Sequence, residues 1–595
     1  MSHTFHIPVL GLAFSIDTPL KVARYGISSV VSIVDDILIE RMRKFHSEKA
    51  GEIFTPIHQD EPHFRSRRIT AYLNLLQKIV DRQFEKLRQE PFIPGTDISR
   101  YFNLLPDHSI LKQQYQQMLK MPEGPLKSWQ QNRLRQELKK GFIDVNIMSK
   151  VDRMILNEEG QMQEDQLSDA LAALQGFALS QLDSSLILSA GMNPRLYSYL
   201  ENFPDFFPDE HGQIKKRVIL KVSDFRSAFI QAKFLAKKGI WVSEFRIESG
   251  LNCGGHAFAT EGYLLGPILE EFKNRKPEML TELFAIYREA LAIKNVPIAD
   301  QPAMKISVQG GIGTAQENNF LLSYYQLDAT GWGSPFLLVP EATNVDQETL
   351  ESLATARHDD FYISRSSPLG IPFNNFRKST AEKLRLERIA KGRPGSPCTK
   401  KYLVSNTEFT SEPICTASRE YQNLKIKELQ EANLPAEQFQ QRFEEITEKV
   451  CLCEGLATSA YLKNDIAKAR ENKAVAICPG PNLAWFSGSF SLDEMIHHIY
   501  GKLNLLNSEN RSNLFINELD LYLKYFKEEV SQHLNQVNDK KNKYLIRFKE
   551  QLNQGISYYK QLIPQLTDQT ELYRKKMLEE LQAIEQKLNT LQIAN

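Results

Sequence analysis

Cysteine is scarce in this sequence. Six in 595 residues are too few and too scattered for a disulfide framework, so a reducing, cytoplasmic location is expected. Neither sign of charge dominates: Lys+Arg and Asp+Glu both total 73, so nothing draws the chain toward nucleic acid or an anionic membrane. No apolar run reaches the length of a membrane span. The start, MSHTFHIPVLGLAF, lacks a basic leader and a small-residue cleavage site and reads as a first strand, not as a secretion signal. Two local basic runs, Arg65 to Arg68 and Lys540 to Lys543, read as solvated faces. What remains is a protein whose expected partner is a small-molecule substrate.

Short apolar runs alternate with amphipathic helical stretches, the pattern of a parallel sheet covered by helices. Strands are expected at His6–Phe14, Ser28–Val34, Phe142–Met148, Ser184–Ala190, Arg217–Val222, Trp241–Ile247, Lys305–Gln309 and Ala329–Leu338. Helices are expected between them, with two between Pro267 and Lys294. About eight such units favour a (β/α)8 TIM barrel, because an open doubly wound sheet usually carries its glycine fingerprint after the first strand and here the glycines come late. The expected division is a barrel from 1–57 and 141–342, a helical insertion at 58–140, a cysteine-containing mixed region at 343–488 and a helical region at 489–595.

The stretch WVSEFRIESGLNCGGH, Trp241 to His256, organises the rest. It runs from a buried strand into glycines that let backbone pass close to a flat or phosphorylated ligand, and it ends in a residue suited to moving protons. VQGGIGT at Val308–Thr314 repeats the strand-to-glycine pattern. Ligands of barrels sit at the C-terminal strand ends. Here those ends carry Asn146, Ser189 and Gly191, Lys221, His256, then Gly310, Gly311 and Gly313, and finally Gly331, Gly333 and Ser334. Loops after the seventh and eighth strands usually hold a phosphate, so a phosphate-bearing cofactor is expected.

In this order the motifs resemble the nitronate monooxygenase-like family of FMN-dependent barrels, also called 2-nitropropane dioxygenases, which includes flavin enoyl reductases. IPVLGLAFSIDTPLKVARYGISSVVSI at Ile7–Ile33 is similar to the family's opening; DVNIM at Asp144–Met148, to its strand-three asparagine motif; and SAGMNP at Ser189–Pro194, to its Gly-x-Pro turn. SGLNCGGH at Ser249–His256 looks like its QGxEAGGH loop, VQGGIGT its AGGI loop, and GWGSPFLLVPEA at Gly331–Ala342 its GTRF segment. The loop glutamate is Asn252 here, its alanine Cys253, its glutamine Ser249, and the GTRF arginine is replaced by Pro335.

The resemblance implies FMN, with its phosphate on backbone around Gly310, Gly311, Gly333 and Ser334 and with Asn146 and Lys221 along the ring. It implies Ala13, Ser189, Gly254, Gly255 and Gly313 in the cofactor's surroundings, and His256, beside Asn252, facing substrate as proton donor or acceptor. The flavin would carry hydride or electron transfer and the protein would orient and tune it. The activity so implied is that of an FMN-dependent oxidoreductase; a flavin enoyl-thioester reductase and a barrel kept as a scaffold or binding protein are the alternatives.

Past the barrel, Cys398, Cys415, Cys451 and Cys453 offer four thiolates for an iron–sulfur cluster or zinc, although their spacing matches no standard ligand pattern and buried unliganded cysteines are the commoner use. The C-terminal helices place Leu503, Leu506, Phe515, Leu519, Tyr522, Tyr525 and Phe526 at helical spacing, a face for packing against the barrel or a second copy in a homo-oligomer.

Overall fold

Eight short apolar strands form the centre of the computed structural model, which describes residues 2–147, 152, 167–189, 191–253, 261–297, 300–508, 510–534, 539–566 and 569–593. They are β1 (Phe5–Ile7), β2 (Ser28–Ser32), β3 (Ile143–Ile147), β4 (Ser184–Leu188), β5 (Lys216–Val222), β6 (Val242–Glu248), β7 (Lys305–Gln309) and β8 (Ala329–Gly331). Each pairs in parallel with the next, and β8 returns to β1, closing a barrel in sequence order. The chain is a (β/α)8 barrel with helices between successive strands.

Backbone chemistry trims the strands. β1 stops at Ile7 because Pro8 has no N–H for the ladder, and Gly11 then turns the chain at φ 103°. β8 ends at Gly331, not Leu338: Pro335 follows, and Ser334–Leu338 winds into a 3₁₀ turn. The stretch expected as two helices between β6 and β7 is one, Leu265–Ile293, with Pro277 inside it.

Between β2 and β3 lie four helices, Phe64–Gln89, Asp97–Leu104, Ile110–Leu119 and Pro125–Glu137, beyond the helix Asp36–Ala50 that follows β2. The longest docks on the barrel side, where the Tyr72 hydroxyl donates to the Ile16 carbonyl at 2.9 Å. The expectation of a solvated basic run at Arg65–Arg68 is overturned here. Helical spacing puts Arg65 and Arg68 on the inner face, where both are buried and paired with Asp36 at 3.2 and 2.7 Å; Arg67 alone of the three faces water. Both carboxylate oxygens of Asp36 are used, which is what burial of two guanidinium groups requires.

After the barrel an antiparallel hairpin, β9 (Phe361–Ser364) with β10 (Phe373–Phe376), and the helix Leu452–Lys463 lead to the C-terminal helices Leu514–Leu534, Asp539–Leu562 and Glu571–Thr590. Phe515, Leu519, Tyr522 and Phe526 are buried within the chain, and Phe515 stacks on Tyr559 with ring centroids 5.1 Å apart. Leu503 and Leu506 depart from the expected stripe: both lie in the loop before these helices, Leu503 exposed and Leu506 half-buried. Among the described residues no helix is long and apolar enough to cross a membrane.

Candidate functional site

Alternate residues of a barrel strand face the lumen, so the three charged residues of β6, Glu244, Arg246 and Glu248, point inward one above another. Their cross-strand partners in β7 are Lys305, Ser307 and Gln309. Low in the lumen, Glu244 accepts from the Arg246 Nε at 2.9 Å and from the Ser307 hydroxyl at 2.5 Å. Beside them Val9, Val30, Ile187 and Ile219 form a small apolar layer. His6 of β1 is buried there; burial first, then the Arg246 charge, holds its pKa well below the usual value, while the Gln309 side chain pulls the other way. The ring is therefore neutral at pH 7.

At the upper end of the lumen Glu248 is a hub. One oxygen, Oε1, receives Lys221 Nζ of β5 at 3.0 Å, Asn252 Nδ2 of the following loop at 2.6 Å and Gln309 Nε2 of β7 at 2.7 Å. These three strand ends thus share one carboxylate. Lys221 stands at the barrel mouth paired with a neighbouring carboxylate rather than isolated. Across the mouth Asn146, on β3, has an Oδ1 that is buried with no hydrogen-bond partner among the described residues. Ser189 follows the end of β4, half-buried.

The loops after β6, β7 and β8 touch one another. A Cβ on Gly310 would lie 2.9 Å from the Asn252 nitrogen, and one on Gly311 2.5 Å from Leu251 Cδ1. Both have positive φ, so glycine is required twice over. The room these glycines leave is filled by protein, which corrects their reading as space for a ligand. What they do leave open is polar: the backbone N–H groups of Gly310, Gly311, Ile312, Gly333 and Ser334 have no hydrogen-bond partner among the described residues. Gly333 is half-buried and the other four residues are buried, and buried donors in this state call for an acceptor.

The C-terminal region closes over these loops. Gly480 N–H donates to Ser334 Oγ at 2.9 Å, Asn374 Nδ2 to the Asn252 carbonyl at 3.1 Å and Asn482 Nδ2 to the Ile312 carbonyl at 2.9 Å. Arg511 enters beneath the β7 loop, donating to the Gly311 carbonyl and to Glu317, each at 2.6 Å. Cys253 is walled in by Cys478, Gly480 and Ser334, and burial raises its thiol pKa, so it stays protonated.

Two expected ligand contacts are spent elsewhere. The Ala13 N–H donates to the Leu456 carbonyl at 3.1 Å in a fully buried position, and the Gly313 N–H donates to the Glu317 carboxylate at 2.8 Å. Asn252, expected at the reacting centre, is buried and bound to Glu248. Gly254, Gly255, His256, Met148 and Ala190 lie outside the described residues. Glu248 and Gln309 were not singled out from sequence. The signal existed: charge on every second residue of a strand flanked by apolar neighbours, SEFRIE, is foreign to a plain parallel core.

Cys398, Cys415, Cys451 and Cys453 come together beside the helix Leu452–Lys463, close enough for their charges to interact. Among the described residues, however, no set of three or more His, Cys, Asp or Glu side chains is disposed to hold a metal ion, so the structure gives neither the iron–sulfur cluster nor zinc any support.

No family model matches the chain, and no curated protein does. Among solved structures it is similar to the enoyl reductase domain of MlnA from the macrolactin biosynthesis cluster of Bacillus amyloliquefaciens, at 14% identity over 64% of this chain and 87% of that one, with a TM-score of 0.34. It is also similar to a FabK mutant from Thermotoga maritima, at 11% identity over 66% of this chain and 81% of that one, with a TM-score of 0.29. At these values neither neighbour bears on the chemistry of this chain.

Proposed function

We propose that the chain is an FMN-dependent oxidoreductase with its flavin at the C-terminal mouth of the barrel. The observation that carries this is the set of backbone N–H groups on Gly310, Gly311, Ile312, Gly333 and Ser334 that have no hydrogen-bond partner among the described residues, at the strand ends where a barrel holds phosphate. A second supports it: the Asn146 Oδ1, without a partner among the described residues, lies at the same strand ends as Lys221 and would accept a donor such as a ring N–H. The donor set thus fits a phosphate linked to a flat heterocycle. FMN, when bound, would supply hydride or electron transfer. The chain's own residues would bind the phosphate through those amides and orient the ring by Asn146 and Lys221, and His256 would hold or receive the proton.

Within this reading nitronate oxidation is the finer function that the sequence resemblance implies. Reduction of an enoyl thioester is the rival. The two are separated by oxygen uptake with an alkyl nitronate against consumption of a reduced nicotinamide with an enoyl thioester.

The protein purified without oxygen is expected to be yellow, with FMN released on denaturation. A colourless protein that takes up no added FMN sinks the proposal. The Glu248 hub gives a second test. Glu248→Gln removes the anion that balances Lys221 while keeping an oxygen for Asn252 and Gln309. The uncovered cation favours added negative charge at the mouth, so the reduction potential of the bound flavin is expected to move positive. An unchanged potential in a redox titration would show that Lys221 lies away from the ring.

A further inference from the structure

Four thiols gather in the region after the barrel, and the chemistry proposed for the barrel mouth uses none of them. Two backbone bridges bring their chain segments together. Ser396 N–H donates to the Ala417 carbonyl and Arg419 N–H to the Ser396 carbonyl, each at 3.0 Å. Asn406 and Ile414 exchange bonds of 3.1 and 2.8 Å. A Cβ on Gly395 would lie 2.6 Å from Arg419 Cα, so close approach is built into the sequence at that point. Cys398 and Cys415 are thereby brought near each other, close enough for each thiol to act on the other. Cys398 is half-buried and Cys415 buried, and Cys451 and Cys453 stand behind them at the start of the helix Leu452–Lys463.

We infer that Cys398 and Cys415 form a reversible redox pair, with Cys398 as the peroxide-reactive thiol and Cys415 as the resolving one. Close approach of the two chain segments is what disulfide formation needs, and the unequal exposure of the thiols assigns the roles. The neighbouring Cys415 side chain brings the Cys398 thiol down to about 7, which supplies thiolate at neutral pH. That same proximity, with burial, pushes the Cys415 thiol up, so its proton stays on until Cys398 has reacted.

The Cys398 thiolate attacks one oxygen of hydrogen peroxide, the O–O bond breaks, and hydroxide leaves as the sulfur becomes a sulfenic acid. The Cys415 sulfur then attacks that sulfur, and the S–O bond breaks with loss of water. In sum two thiols give up two electrons and two protons, and one peroxide becomes two waters. The disulfide would stiffen a segment that braces the barrel mouth. Lys400 Nζ donates to Asp35 at 2.5 Å and the Tyr402 hydroxyl to Asp36 at 3.0 Å, just past β2.

The test uses the full chain, reduced, freed of reductant and exposed to a small excess of hydrogen peroxide. Two of the six thiols should disappear, peptide mapping should join 398 to 415, and dithiothreitol should restore both. Cys415→Ser should instead accumulate a dimedone-reactive sulfenic acid at 398. Should that variant fail to fold, the wild-type peptide map decides alone. Linkage between other cysteines, thiols that survive peroxide, or stoichiometric zinc that must be removed before any thiol reacts would each overturn the inference.

Discussion

Arg511→Met should destabilise the fold by about 3–5 kcal/mol, the cost of leaving a buried charge without its partner. The guanidinium is 3% exposed and its carboxylate, Glu317, 2%. Every face of the pair is used. Arg511 Nε donates to Asn482 at 3.1 Å, one terminal nitrogen to Glu317 and the other to the Gly311 carbonyl, each at 2.6 Å. Glu317 in turn accepts from the Gly313 N–H at 2.8 Å and the Leu514 N–H at 2.7 Å. One ion pair thus ties the loop after β7, the Pro479–Asn482 segment and the first turn of the helix Leu514–Leu534. Methionine keeps much of the apolar stem and removes the charge, so the loss reports electrostatics and hydrogen bonding rather than a cavity. The expected readout is a lower urea midpoint, and on the proposed function also weaker FMN retention, because the loop carrying Gly310 and Gly311 loosens. Adding Glu317→Gln should recover part of the loss, since the orphaned anion goes with it, and the two substitutions should be strongly non-additive. A single-variant loss below about 1 kcal/mol would mean that water reaches the pair and screens it.

That ion pair also marks where sequence reading stops. The barrel was legible because each strand is a short apolar run and each helix announces itself by spacing and caps, all within about ten residues. The glycine loops were legible as loops, yet their physical reason was not. Gly311 and Gly313 are demanded by Leu251 and by the Arg511 guanidinium, and Arg511 stands some two hundred residues further along the chain. Charge on alternate residues of β6 is visible in Glu244, Arg246 and Glu248, but which strand answers each is set by register: Lys221 and Gln309 reach Glu248 only because β5 and β7 flank β6 in the closed order. The basic run at Arg65–Arg68 shows the same limit from the other side. Its composition reads as solvated, and aspartates beyond the helix, Asp36 for both buried arginines and Asp169 for Arg65, offset the cost of burial.

The stability of the protein should fall by about 3 kcal/mol between pH 4.5 and pH 8 through one carboxyl group, Glu518. It lies on the helix Leu514–Leu534, fully buried, and accepts from the Ser249 hydroxyl at 2.7 Å, the Gly250 N–H at 3.3 Å and the Leu265 N–H at 2.8 Å. Ser249 and Gly250 follow β6 directly and Leu265 opens the next helix, so Glu518 clasps both stems of the loop that carries His256. Burial raises its pKa to about 7, and the three donors offset that only in part; among the described residues it has no ion-pair partner. The unfolded chain titrates near the ordinary glutamate value, so the folded state holds the proton more tightly. Its contribution is therefore complete below about pH 4.5 and is lost as pH rises through about 7. Glu518→Gln cannot titrate. The wild type should accordingly lose about 3 kcal/mol relative to the variant across that window, read as the difference in urea-unfolding free energy at each pH. A difference that stays flat with pH would mean that the carboxyl is ionised in the fold throughout. If it falls as expected, the stems of the loop from Ser249 to Leu264 are held by a neutral acid in mildly acidic solution and by a buried anion above neutrality, and any pH dependence of activity near 7 contains a Glu518 contribution, which the Gln variant isolates.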